Sequence, residues 1–92
     1  MKNNNELQEL RNKIDEIDKQ IITLLSLRFI QTRKVGIVKK KHGLNSVDVE
    51  RFKEILEKWK KQDGSISSHL LEDIFLSIHE EVVKEHNSTC CP

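Results

Sequence analysis

Leu7, Leu10, Ile14, Ile17, Ile21 and Leu24 follow one another in alternating steps of three and four, and the same step continues through Arg28, Gln31, Val35 and Val38. This is a heptad seam, apolar everywhere except at Arg28 and Gln31. No proline interrupts it and a glycine follows it, so the pattern predicts a single helix from about Asn5 to Lys41 or His42, closed by Gly43. At 1.5 Å per residue that helix is roughly 50 Å long. A compact globule of this chain length is only about 30 Å across. The helix therefore overhangs any monomer, and its seam calls for a second chain to cover it, as a dimer or higher oligomer.

Composition agrees with that need. A chain of 92 residues builds only a thin core of its own. Its 36% hydrophobic and 34% charged content, with net charge +1, fit a soluble helical domain better than a disordered chain. The near-zero net charge argues against a nucleic-acid partner. Cations do gather from Arg33 to Lys41, but they are interleaved with Val35 and Val38 and no aromatic platform accompanies them. No run approaches the roughly 18 apolar residues of a membrane span, and the opening "MKNNNELQEL" lacks the apolar stretch of a signal peptide. The expectation is a cytoplasmic protein with no membrane or nucleic-acid partner. Cys90 and Cys91, adjacent in "NSTCCP", have no other cysteine with which to build a disulfide framework or a zinc quartet, and are read as tail residues.

Two shorter helices follow. "GLNSVDVER" reads as a loop in which Asp48 caps a helix from about Val49 to Lys61, with Phe52, Ile55, Leu56 and Trp59 as its apolar stripe. "QDGSISS" breaks it, and Ser67 or Ser68 caps a third helix whose face comprises Leu71, Ile74, Phe75, Ile78 and Val82, with His86 at its end. Nothing reads as a strand. The expected fold is all-α, one domain over 1–92 with its core at about 5–87 and a frayed tail at 88–92.

Several polar residues sit where a hydrophobe belongs. Arg28 interrupts the seam, and Lys39 lies eleven residues on, three turns later and only about 20° off the same face. Their backbones are about 16 Å apart, so long side chains from both would leave room for a small anion between them. Because an uncompensated buried cation costs several kcal/mol, something negative must meet Arg28. The alternative is a polar seam residue that sets register by pairing with an acid on the partner chain. Arg11, seventeen residues before Arg28, is roughly 25 Å away along the axis and cannot reach the same small ligand within one chain. In an antiparallel dimer the partner's copy could reach it; otherwise Arg11 is an exposed helix arginine. Asp48 and Arg51 in "DVER" share one face of a first helical turn, either as site residues or as a cap with a surface ion pair.

The ordered blocks "LRNKIDEIDKQIITLLSLR", "VGIVKKKHG", "DVER" and "IFLSI" resemble the all-α class of chorismate mutase over roughly residues 7–86. The resemblance implies an intertwined homodimer with two equivalent sites, each borrowing an arginine from the partner. It implies that Arg28 and the partner's Arg11 grip the two carboxylates of a small dicarboxylate substrate, that Arg51 supports one carboxylate, and that Lys39 donates to the ether oxygen. Asp48 would lie by the ring hydroxyl, with Val35 and Val83 as apolar walls. No cofactor or metal is implied.

The chain departs from the family pattern at three positions. Phe52 stands where the family usually has Glu, Val82 where it commonly has Ser, and His86 where it commonly has Gln or Glu as a second donor to the ether oxygen. His86 can still donate through a ring N–H. Phe52 keeps two relatives of the same fold in play, isochorismate pyruvate-lyase and aminodeoxychorismate mutase, beside a non-catalytic helical dimer module.

Overall fold

The computed structural model describes residues 2–44, 48–62 and 64–86, with the side chains of 2, 3, 85 and 86 left out. Cys90, Cys91 and the predicted frayed tail lie outside the described residues. The described residues form three helices: α1 (Lys2–Lys41), α2 (Val49–Lys60) and α3 (Ser68–His86). Among the described residues there is no strand. The long helix begins three residues before the Asn5 expected from the pattern, an extension that the absence of Gly and Pro in "KNNN" permits.

Each helix end has a local cause. Gly43 adopts φ +64, the left-handed conformation that a residue without Cβ takes without strain. The Leu44 N–H then donates to the Lys39 carbonyl at 2.8 Å and the Gly43 N–H to the Lys40 carbonyl at 3.3 Å. This pair of bonds is the Schellman arrangement, and it satisfies carbonyls that the ending helix would otherwise leave open. At the start of α2, Asp48 Oδ1 accepts from the Arg51 N–H at 3.0 Å. At the start of α3, Ser67 Oγ accepts from the Leu70 N–H at 3.1 Å. Both are N-caps of the kind the sequence suggests.

The chain divides into two compact units, Met1–Ile30 and Gln31–Pro92. Among the described residues of the first unit, α1 is the only element. Its seam residues are open to solvent, from Leu7 at 45% exposed to Leu24 at 65%, with Leu10, Ile14, Ile17 and Ile21 between these values. A helix cannot bury its own stripe, so nothing within that unit covers them.

The second unit owns the core. Helices α2 and α3 pack together through Ile55, Phe75, Ile78 and Val82, with Phe75 only 1% and Val82 0% exposed. Rings dominate the contact: the Phe75 centroid lies 5.6 Å from that of Phe52 and 5.5 Å from that of Trp59. Offset, tilted pairs of this kind add about 0.5–1.5 kcal/mol beyond the area they bury. Lys60 Nζ reaches Glu72 Oε2 across the two helices at 3.5 Å.

On the stretch of α1 that belongs to this unit, Thr32 is buried and Val35, Gly36 and Lys39 are half-buried, while Gln31 and Val38 are exposed. The covered stripe thus follows i, i+3, i+4, i+7 rather than the strict heptad, as a straight helix of 3.6 residues per turn drifts away from a 3.5 repeat.

Phe75 carries more of this core than any other ring. Phe75→Ala is expected to destabilise the second unit by about 3–5 kcal/mol, read by urea denaturation followed by circular dichroism.

Candidate active site

Helix α1 supplies candidate residues to both units. In the first, Arg11 is exposed, and Arg28 is half-buried with its Nη1 closed off from solvent. Seventeen residues of helix hold the two about 25 Å apart along the axis, so one chain does not bring them together.

In the second unit Val35 and Lys39 stand one turn apart on the half-buried stripe of α1. Lys39 also belongs to the Schellman turn through its carbonyl, which anchors its backbone where the helix stops.

The first turn of α2 gathers Asp48, Arg51 and Phe52. The carboxylate of Asp48 is the helix cap, so its position is set by the backbone it satisfies. Arg51 is exposed, and its Nη1 donates to Glu54 Oε1 at 2.8 Å. The same oxygen takes Lys58 Nζ at 3.2 Å, so one carboxylate stands between two cations. Exposed pairs like these contribute little to stability, and an arriving carboxylate competes with Glu54 for the guanidinium. The hydrogen bond from Lys58, then the charges of Lys58 and Arg51, hold the Glu54 carboxyl below its ordinary value of 4.5.

Phe52 is half-buried and its ring packs on α3, 4.7 Å from the imidazole of His79. Val82 lies wholly inside the α2–α3 core, and Val83 beside it on α3 is half-buried. His86 falls within α3, but its side chain lies outside the described set. The structure therefore joins Phe52 to α3 directly, and places Val82 and Val83 one turn beyond the ring it meets there.

His79 was missed in the sequence reading. It is half-buried, its Nδ1 is closed off from solvent, and its ring also faces Phe75 at 6.3 Å. Its position is written in the sequence, four residues after Phe75 and so on the apolar side of α3.

Among the described residues, no group of three or more His, Cys, Asp or Glu could hold a metal ion, and no helix is long and apolar enough to cross a membrane. The candidates are cations, one capping carboxylate and apolar walls. Such a set can grip and orient an anion, and it contains no nucleophile paired with a base. This defines the class: an all-α domain whose candidate residues are of the kind that grip a small anion.

The family model described as chorismate mutase type II matches residues 10–87, and the chain belongs to that family. It is 31% identical over 83 residues to the T-protein of Haemophilus influenzae, covering 88% of this chain and 22% of that protein. It is 31% identical over 93 residues to the T-protein of Enterobacter agglomerans, covering 95% and 25%. A bifunctional chorismate mutase/prephenate dehydratase of Aquifex aeolicus is 32% identical over 79 residues, covering 85% and 22%. The chain thus spans about a quarter of the length of these curated relatives. No solved structure matches it significantly.

The Glu54 fork is directly measurable. Because its folded-state pKa is depressed, its favourable contribution is present above 4.5 and is lost as pH falls through the folded value. Side-chain carbon NMR is expected to show Glu54 titrating below 4.5, and Lys58→Met is expected to move the midpoint back up. An unmoved midpoint would contradict the assignment of Lys58 as the main cause.

Proposed function

We propose that this chain is a chorismate mutase, an isomerase that rearranges chorismate to prephenate as a cytoplasmic, intertwined homodimer. One observation carries the reading. Arg11, Arg28, Lys39, Asp48 and Arg51 all fall inside the stretch that matches the family, in the order and at the offsets by which the sequence resembles it.

The chemistry asks for what such residues supply. In the rearrangement the ether C–O bond breaks as a C–C bond forms, with six electrons moving in a ring and no proton transferred. Chorismate must be held in its chair-like conformer. Arg28 and the Arg11 of a second copy would do this by fixing both carboxylates in bidentate pairs, with Arg51 leaving Glu54 to support one of them. The ether oxygen gains negative charge in the transition state, and the Lys39 ammonium would meet it, already in place at the end of α1. His86 would add a second donor there. Val35, Phe52 and Val83 would make the dry walls that strengthen those contacts, backed by the core residue Val82.

The second copy follows from the same helix. The open seam from Leu7 to Leu24 exposes six leucine and isoleucine side chains on one stripe, and an equivalent seam is its natural complement. Buried within a dimer, each such side chain contributes about 1.5–3 kcal/mol relative to full exposure.

Phe52 favours one rival, the isochorismate pyruvate-lyase, since an apolar side chain stands where a ring hydroxyl would otherwise find an acceptor. Separate incubation with chorismate and with isochorismate, read by NMR, separates the two. Prephenate from chorismate is expected, with Arg28→Ala lowering turnover by at least about a hundredfold, as loss of a charged transition-state contact does. Salicylate and pyruvate from isochorismate would assign the lyase, and no product from either would leave an amino analogue as substrate or a non-catalytic module. Sedimentation velocity is expected to give twice the chain mass of 10.8 kDa, and Ile17→Glu is expected to halve it by placing a charge in the seam.

A further inference from the structure

His79 belongs to the aromatic cluster of the second unit but differs from the two phenylalanines it touches in carrying polar atoms. Its imidazole lies 4.7 Å from the Phe52 ring at an interplanar angle of 56°. Nδ1 is closed off from solvent, yet the residue as a whole stays partly exposed. Along α3 it precedes Val83 by four residues, which makes the two side chains neighbours on one face. It therefore packs against one apolar wall of the proposed site and adjoins another.

If the site takes chorismate, as proposed above, the substrate brings a ring hydroxyl into a place from which water is excluded. A hydroxyl has one proton to give and lone pairs to satisfy. Asp48, as a carboxylate, can accept the proton but cannot donate. Phe52 can do neither. A ring N–H can donate, and the imidazole is the polar group held against Phe52.

We propose that His79 is a specificity-determining residue of this site, its imidazole N–H donating to the substrate's ring hydroxyl beside Phe52. It rests on the mutase reading and adds to it a residue that selects for the hydroxyl. The aromatic packing holds the ring, and a ring N–H gives it a hydrogen bond to the substrate that a phenylalanine there could not make.

The test compares chorismate with its analogue lacking the ring hydroxyl, in the parent chain and in His79→Phe and His79→Gln. His79→Phe keeps a ring in the cluster and removes the N–H. It is expected to lower kcat/KM for chorismate roughly tenfold while leaving the analogue at the parent value, so the ratio between the two substrates collapses. His79→Gln retains a donor and is expected to recover part of that ratio. Since the ratio is taken within one sample, partial loss of folded protein does not change it. If both substrates fall together, or neither does, His79 is a packing residue only and the proposal is wrong. If the parent protein does not turn over chorismate, the mutase reading itself fails and the proposal falls with it.

Discussion

Everything in this protein depends on an apolar seam that its own unit does not cover. From Leu7 to Leu24 the first unit is one helix with its leucines and isoleucines open to water. Isolated helices are marginal in water, and most helical stability comes from packing an amphipathic face. A helix that presents this face over five turns and has no neighbour within its unit must find one elsewhere. The proposed second copy would supply it, and the same geometry would deliver an arginine that one chain cannot bring to Arg28.

The second unit answers a different need. Its core is small and ring-rich, with Phe75 at the centre and Phe52, Trp59 and His79 around it. That cluster fixes the first turn of α2 against α3, and the first turn of α2 is where Asp48 and Arg51 stand. Packing and site are thus coupled through Phe52, whose ring is half in the core and whose chain neighbour is Arg51. Further along the exposed side of α2, Glu54 holds the Arg51 guanidinium by an exchangeable ion pair and shares the same oxygen with Lys58.

The helix ends were legible in the sequence because their causes are local: a glycine able to take positive φ at 43, a capping carboxylate at 48, a capping hydroxyl at 67. The apolar stripes of α2 and α3 were legible for the same reason, since the period is written in neighbouring residues. What periodicity could not give was the covered face late in α1. A strict heptad put Gln31 and Val38 inside, whereas the structure buries Thr32 and half-buries Gly36, because the helix keeps its own 3.6-residue turn there. His79 was hidden for a related reason. Its position on the apolar face was visible, but its contact with Phe52 is a tertiary fact between two helices. The candidate cations, by contrast, stood out as residues in the wrong company, Arg28 above all.

The most direct measurement of the account is complementation between two inactive chains. Arg11→Ala and Arg28→Ala are each expected to be nearly inactive toward chorismate. If each site joins Arg28 of one chain to Arg11 of the other, unfolding and refolding the two variants together produces mixed dimers with one intact site. Random assortment makes about half the dimers mixed, so about a quarter of parental activity should return. A mixture no more active than its components, with mixed dimers shown to have formed, would contradict the shared site.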